Sequence, residues 1–224
     1  MQIKNKKQLD KLSNQGNPFM VVSVGETLIR PMSEVYAVRE HRIKIDGGWK
    51  MVACPTENAR MLIAAGETQD TDIPPCPLCE LGYPVSTSYL CAVVERERDE
   101  FNKKTGEKTK VGGDAFILKK GPKLMGAIQD LLDDTDWGRT WDYDVKIKAE
   151  GQGLKRTYSV VGVPVEKSEK LTENEVKSFN DFKEKVDIEK MTTPRTYKEI
   201  DELIGGKETF PDYDSVKSQY EKGE

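Results

Sequence analysis

The sequence predicts a mainly β fold of the α+β kind: a small barrel with an inserted metal-binding subdomain, followed by a helical, acidic tail. Three observations carry that expectation. Five or six segments rich in β-branched residues alternate with turns, and one amphipathic helix stands before the last pair. The single histidine, His41, precedes three cysteines in the pattern His-x12-Cys-x21-Cys-x2-Cys. The charge balance changes sign along the chain: residues 1–164 carry 24 Lys and Arg against 23 Asp and Glu, and residues 165–224 carry 11 against 16. The acidity therefore belongs to the tail, and the near-neutral body can bind a polyanion only if its basic residues share a face.

The elements follow in order. Residues 1–18 read as a basic flap, with Lys4, Lys6 and Lys7 before a stop at Gly16-Asn17-Pro18. Phe19 to Arg30, with Val21, Val22, Val24, Thr27 and Ile29, reads as a strand with Gly25 as a bulge. Ser33 to Ile45 is a second strand, with Val35, Ala37, His41, Ile43 and Ile45 opposite a polar face of Glu34, Tyr36, Glu40, Arg42 and Lys44; Val38 and Arg39 are out of step. Asp46-Gly47-Gly48 turns the chain, and Trp49 to Cys54 returns as a third strand. Thr56 to Ala65 reads as a short helix, Ser86 to Arg98 as a strand, Phe101 to Gly113 as a long turn at a hairpin tip, and Asp114 to Lys119 as another strand. Pro122 to Leu132 places Leu124, Met125, Ile128, Leu131 and Leu132 at helical spacing behind an N-terminal proline. Tyr143 to Lys148 and Arg156 to Pro164 form the closing hairpin. In the tail, Thr172-Glu173-Asn174-Glu175 is a capping box that opens a helix with Val176, Phe179, Phe182 and Val186 on one face. Thr193-Pro194-Arg195-Thr196-Tyr197-Lys198-Glu199 opens a second helix, closed by Gly205-Gly206, and an acidic end dotted with aromatics follows from Phe210.

Two thiolates at C-x2-C spacing close on one ion from a single tight turn, and a structural Zn2+ takes four N or S donors in a tetrahedron. His41, Cys54, Cys76 and Cys79 supply four, within a subdomain at about 41–82. A C-x-x-C pair also has a redox use at a helix N-terminus. Pro74, Pro75 and Pro77 crowd this one, however, and no βαβ pattern surrounds it, which suits a rigid knuckle better. One structural Zn2+ is the expected cofactor. Cys91, between Leu90 and Ala92-Val93-Val94, reads as a buried strand residue.

No run of about eighteen apolar residues exists, and the start Met1-Gln2-Ile3-Lys4 lacks the apolar stretch of a signal peptide, so a soluble intracellular protein with no membrane partner is expected. Four cysteines with three given to a metal fit a reducing compartment. An enzyme is not expected. A zinc held by four protein ligands has no open position for water, and nucleophilic triads would need His41 a second time.

Basic residues interleaved with aromatics point to nucleic acid, because single-strand binders combine a positive groove with rings on which bases stack. The aromatic candidates are Tyr36, Trp49, Phe116, Trp137, Trp141, Tyr143 and Tyr158, of which two or three are expected to touch bases and the others to pack. The basic candidates are Arg30, Arg39, Arg42, Lys44, Arg96, Lys119, Lys120, Lys146, Lys148, Lys155 and Arg156.

His41, Cys54-Pro55, Cys76-Pro77-Leu78-Cys79-Glu80-Leu81-Gly82, Ala115-Phe116-Ile117-Leu118-Lys119, Asp136-Trp137-Gly138, Tyr143-Asp144-Val145-Lys146-Ile147 and Gly151-Gln152-Gly153-Leu154-Lys155-Arg156-Thr157-Tyr158 together carry a resemblance. Over roughly residues 28–164 the chain resembles the single-stranded DNA-binding proteins of tailed bacteriophages, the group typified by the T-even helix-destabilising protein. The resemblance implies an OB-fold-like β-barrel at 19–164 with an inserted zinc subdomain held by one His and three Cys. It also implies coating of single-stranded DNA in replication, recombination and repair, within the cytoplasm of the infected bacterial host. A helical, acidic C-terminal tail at 165–224 would recruit replication or recombination proteins. Thr56 to Ile73 looks like an insertion over the knuckle, and the basic arm of the T-even protein is only loosely echoed. The rival expectation is an interaction protein that keeps the OB and zinc scaffold but binds a replication or transcription protein such as RNA polymerase. It is motivated by the near-neutral body and the long tail.

Overall fold

The computed structural model describes residues 18–45, 48–101, 108–134, 141–151 and 153–205. All but the last residue of the expected basic flap, the Asp46-Gly47 turn, Trp137 and the acidic end from Phe210 lie outside these residues. Two compact units emerge. The first takes the described residues up to Tyr36 together with Tyr89–Ile188, and the second takes Ala37–Ser88 with the described residues from Glu189 on. The tail is thus divided between the two.

The first unit is built on β1 (Gly25–Pro31) and, after β2 (Tyr36–Ile45) and β3 (Gly48–Ala53) of the second unit, on β4 (Val85–Phe101), β5 (Lys108–Val111), β6 (Asp114–Lys120), β7 (Val145–Glu150) and β8 (Thr157–Gly162). All named pairings are antiparallel: β8 on β7, β7 on β1, β1 on β4, and β5 and β6 in succession along β4's other side. The alternation of β7, with Val145, Ile147 and Ala149 buried and Lys146, Lys148 and Glu150 exposed, shows a sheet with one dry face. Helix α3 (Pro122–Asp133) covers that face, so that Leu124, Met125 and Ile128 share a core with Ile29, Val93, Leu118, Val145 and Ile147. Each such side chain contributes about 1.5–3 kcal/mol when taken from water.

Three expectations are corrected here. The sheet is open: β8 pairs only with β7 among the described residues, because a helix rather than a closing strand buries the apolar face. The long turn expected over Phe101 to Gly113 contains β5, whose Lys108-Thr109-Lys110-Val111 pairs with Arg98 to Phe101. Gly112 continues that hairpin where a Cβ would lie 2.2 Å from the Arg96 carbonyl oxygen, so only glycine fits. Finally, Gly25 opens β1 with φ 113, while the register shift lies between Leu28 and Ile29. Ahead of β1, the expected strand start at Phe19 is represented by a parallel bridge of Phe19 to Ile117.

Two arginines and two carboxylates fasten the tail's first helix, α4 (Glu173–Lys185), to this unit. Arg30 Nε donates to Asp144 at 2.6 Å and Arg96 Nε to Glu175 at 2.8 Å, while both guanidinium groups donate to the Glu169 carbonyl. The Thr172 capping box holds as the sequence predicts, but the buried residue of α4 is Glu175, and Val176 is 43% exposed.

In the second unit the β2–β3 hairpin leads through Cys54 into α1 (Pro55–Ala65), a loop, and the one-turn α2 (Pro77–Glu80). Helix α5 (Ile188–Thr192) begins at the unit boundary, and α6 (Tyr197–Ile204) packs on α2. Its Ile200 is fully buried in a cluster with Ile43, Val52, Cys54, Cys76 and Leu78. Thr196 and Glu199 form its capping box, within the Thr193 to Glu199 stretch expected to open this helix.

Candidate metal centre and nucleic-acid interface

Cys54 is the N-cap of α1, and its Sγ accepts the Glu57 N–H at 3.3 Å. Its own N–H donates to the Arg39 carbonyl at 2.8 Å. Asn58, one turn into α1, makes this geometry rigid. Its amide nitrogen donates to the carbonyls of Arg39 and Cys54, each at 2.7 Å, and its amide oxygen accepts the Arg39 N–H at 3.0 Å. Asparagine is a poor interior helix residue because its side chain competes for backbone partners, and here that competition positions a ligand. Nothing in the motif spacing drew attention to Asn58; an asparagine four residues after a candidate ligand was the available signal.

The knuckle supplies two more donors. Cys76 is the N-cap of α2 and Cys79 lies within it, and Gly82, at φ 76, follows its end with Gly82 N–H on the Cys79 carbonyl and Tyr83 N–H on the Leu78 carbonyl. This is the Schellman pattern, which needs a left-handed residue at that position. His41 comes from β2. Its Nδ1–H donates to the Pro84 carbonyl at 3.2 Å, which leaves the Nε2 lone pair for the thiols.

The four donors converge. Their ligand atoms lie within 4.8 Å of one another, with Cys54 Sγ to Cys79 Sγ at 3.4 Å and His41 Nε2 to the sulfurs of Cys76 and Cys79 at 3.5 and 3.6 Å. The edges of a ZnS3N tetrahedron with ordinary bond lengths are about 3.5–3.8 Å, so the cluster has room for one ion of that size. Burial holds the Cys54 and Cys79 thiols above their ordinary range and lowers the affinity of His41 for a proton. Uncompensated thiolates are therefore costly here, and a divalent cation that displaces their protons relieves that cost. The sequence-predicted ligand set is brought together in full, as a site able to hold one metal ion.

The nucleic-acid candidates divide into groups. Arg30 and Arg96 were expected to face a ligand, but they are committed to Asp144 and Glu175 inside the first unit, where Arg30 is 3% exposed. Tyr143 is also interior, with its hydroxyl donating to the Leu131 carbonyl at 2.6 Å. Phe116 and Tyr158 pack against the core, Tyr36 is half-buried, and Arg156 donates to the Val22 carbonyl. Lys119 lies over Phe19 at 5.7 Å and Lys120 over Tyr158 at 5.8 Å. Lys146 and Lys148 are exposed but paired with Glu26 and Glu150, Lys155 is exposed, and Trp141 is 50% exposed. Arg39 is half-buried beside Asn58.

The remaining candidates meet on one surface. In the β2–β3 register Lys44 opposes Trp49 and Arg42 opposes Met51, so all four side chains share the outer face of the hairpin. Arg42 Cζ lies 4.5 Å from the centre of the Trp49 ring, which is 46% exposed. Among the described residues no carboxylate pairs with Arg42 or Lys44, in contrast to Lys110, Lys146 and Lys148 of the first unit.

The chain matches no protein-family model and no curated protein. Among the described residues no helix is long and apolar enough to cross a membrane.

Proposed function

We propose that this chain is a sequence-tolerant single-stranded DNA-binding protein that coats DNA during replication, recombination and repair, with one structural Zn2+ in the His41, Cys54, Cys76 and Cys79 cluster. The observation that carries the reading is the outer face of the β2–β3 hairpin, where half-exposed Trp49 is flanked by Arg42 and Lys44, cations that no carboxylate pairs with among the described residues. A base stacked on an aromatic side chain contributes about 1–3 kcal/mol whatever its identity, which gives affinity without sequence preference. The cations supply the phosphate contacts. The metal then has a structural duty: His41 and Cys54 anchor both strands of this hairpin, so loading the ion fixes the platform. Likeness to the phage helix-destabilising proteins, an OB-like reading of the antiparallel sheet, and recruitment of replication proteins through the acidic end belong to the same proposal.

Its test is fluorescence anisotropy of a labelled dT oligonucleotide of about thirty residues, titrated with full-length protein at several salt concentrations. Binding that weakens with a slope of about -0.7 per phosphate contacted supports the reading. The full chain is required, because cutting at residue 164 removes both Glu175 and Ile200 from buried positions. No binding at low salt overturns the proposal in favour of a protein partner, for which exposed Leu62, Ile73 and Leu81 of the second unit are the alternative surface.

A further inference from the structure

The guanidinium of Arg42 occupies the place on Trp49 that a base would take. Both groups bind an indole through its π-face, so they compete for it. The ring is the contact of Arg42 seen here, and no carboxylate among the described residues pairs with it. Lys44, directly across the strand pair from Trp49, puts a second positive charge beside the ring, where the phosphate of a stacked nucleotide would run.

From this geometry we infer that the Arg42–Trp49 stack is a resting arrangement that an unpaired base replaces, and that the displaced Arg42 moves to a phosphate. The inference rests on the reading of the chain as a single-strand binder and deepens it. The exchange selects for single strands at this position: a base inside a duplex has both faces stacked on its neighbours, so it cannot displace the arginine. A free base takes the ring, and the released guanidinium regains a partner with geometry suited to its fork of donors. Arg42 is thereby a specificity-determining residue, and Trp49 the platform it guards.

The experiment is a double-mutant cycle on full-length, metal-loaded protein, with wild type, Arg42→Ala, Trp49→Ala and the double variant titrated against the labelled dT oligonucleotide at several salt concentrations. Arg42→Gln, which keeps most of the stem, is run alongside, and metal content confirms that each variant retains its folded second unit. The exchange predicts that losing Arg42 weakens binding less when Trp49 is present than when Trp49 is absent. In the free protein Arg42 obstructs the ring, and the difference is about two- to fivefold for an exposed cation–π contact. It also predicts that the salt slope falls by about 0.7 in both Arg42 variants, for one lost phosphate contact. A cycle of opposite sign means that Arg42 stays stacked in the complex, and that result or an unchanged slope overturns the inference while leaving single-strand binding intact. Absence of wild-type binding removes both.

Discussion

In the first unit Ile29, Val93, Leu118, Ile128, Val145 and Ile147 meet across a sheet and a helix, and burial of apolar surface alone accounts for a core there. In the second, two of the six buried members of the core, Cys54 and Cys76, belong to the cluster able to hold a metal ion, and the remainder are Ile43, Val52, Leu78 and Ile200. Partly buried Ile45, Tyr83, Val85, Leu203 and Ile204 pack around this small core, and natural domains with small cores commonly add a metal or a disulfide. The difference teaches where each unit is expected to be vulnerable: the first through its packing, the second through the His41, Cys54, Cys76 and Cys79 cluster able to hold an ion.

The largest expected effect follows from the ion. Structural zinc contributes about 10–16 kcal/mol in isolated peptides, so chelation or Cys76→Ser should unfold the second unit. Hydrogen exchange should show protection lost over β2, β3, α1 and α6 while β1, β7 and α3 keep theirs. Metal analysis should fall from one equivalent to none, and a full complement in Cys76→Ser would remove that residue from the ligand set.

The converse break comes from packing and buried charge. Arg30→Ala leaves Asp144 with a weakened set of partners and should cost about 3–5 kcal/mol in a denaturant titration. Ile147→Ala should cost about 2–5 kcal/mol. Neither should reduce metal content.

Opposite pH limits sharpen the contrast. Burial lowers the folded-state proton affinity of His41, so its contribution is present above the ordinary histidine value and is lost as pH falls through the folded value. Protons also compete with the metal for its thiolates, so the second unit should fail first in acid. The Tyr143 phenol is pushed up to about 12 by burial, with the Asp134 and Asp133 carboxylates adding to it. The unfolded phenol ionises near about 10, so the stability it gives below that pH is lost between about 10 and 12, and the first unit should weaken in alkali. Melting temperatures across pH, with Tyr143→Phe flattening the alkaline limb, check both signs. The smallest effect belongs to exposed pairs: Lys110→Ala, which frees Glu97, should change stability by at most about 1 kcal/mol.

The sequence was most legible where chemistry is rare and spacing is local. Four donors of suitable type within 41–79 announced the metal cluster, and capping residues announced α4 and α6. Long-range pairing was illegible. Ile200 reaches the metal unit from more than a hundred residues beyond its knuckle, and no local pattern encodes that contact. Arg30 and Arg96 read as free cations because their partners Asp144 and Glu175 lie far along the chain. Closure of the barrel was inferred from strand count, which does not determine whether β8 meets a strand or a helix.

The central claim is that the metal-anchored β2–β3 hairpin is the nucleic-acid platform, and hydrogen exchange on full-length, metal-loaded protein with and without saturating dT oligonucleotide tests it directly. The account predicts slowed exchange across β2 and β3 on binding. Tight binding with unchanged exchange in both strands would contradict it.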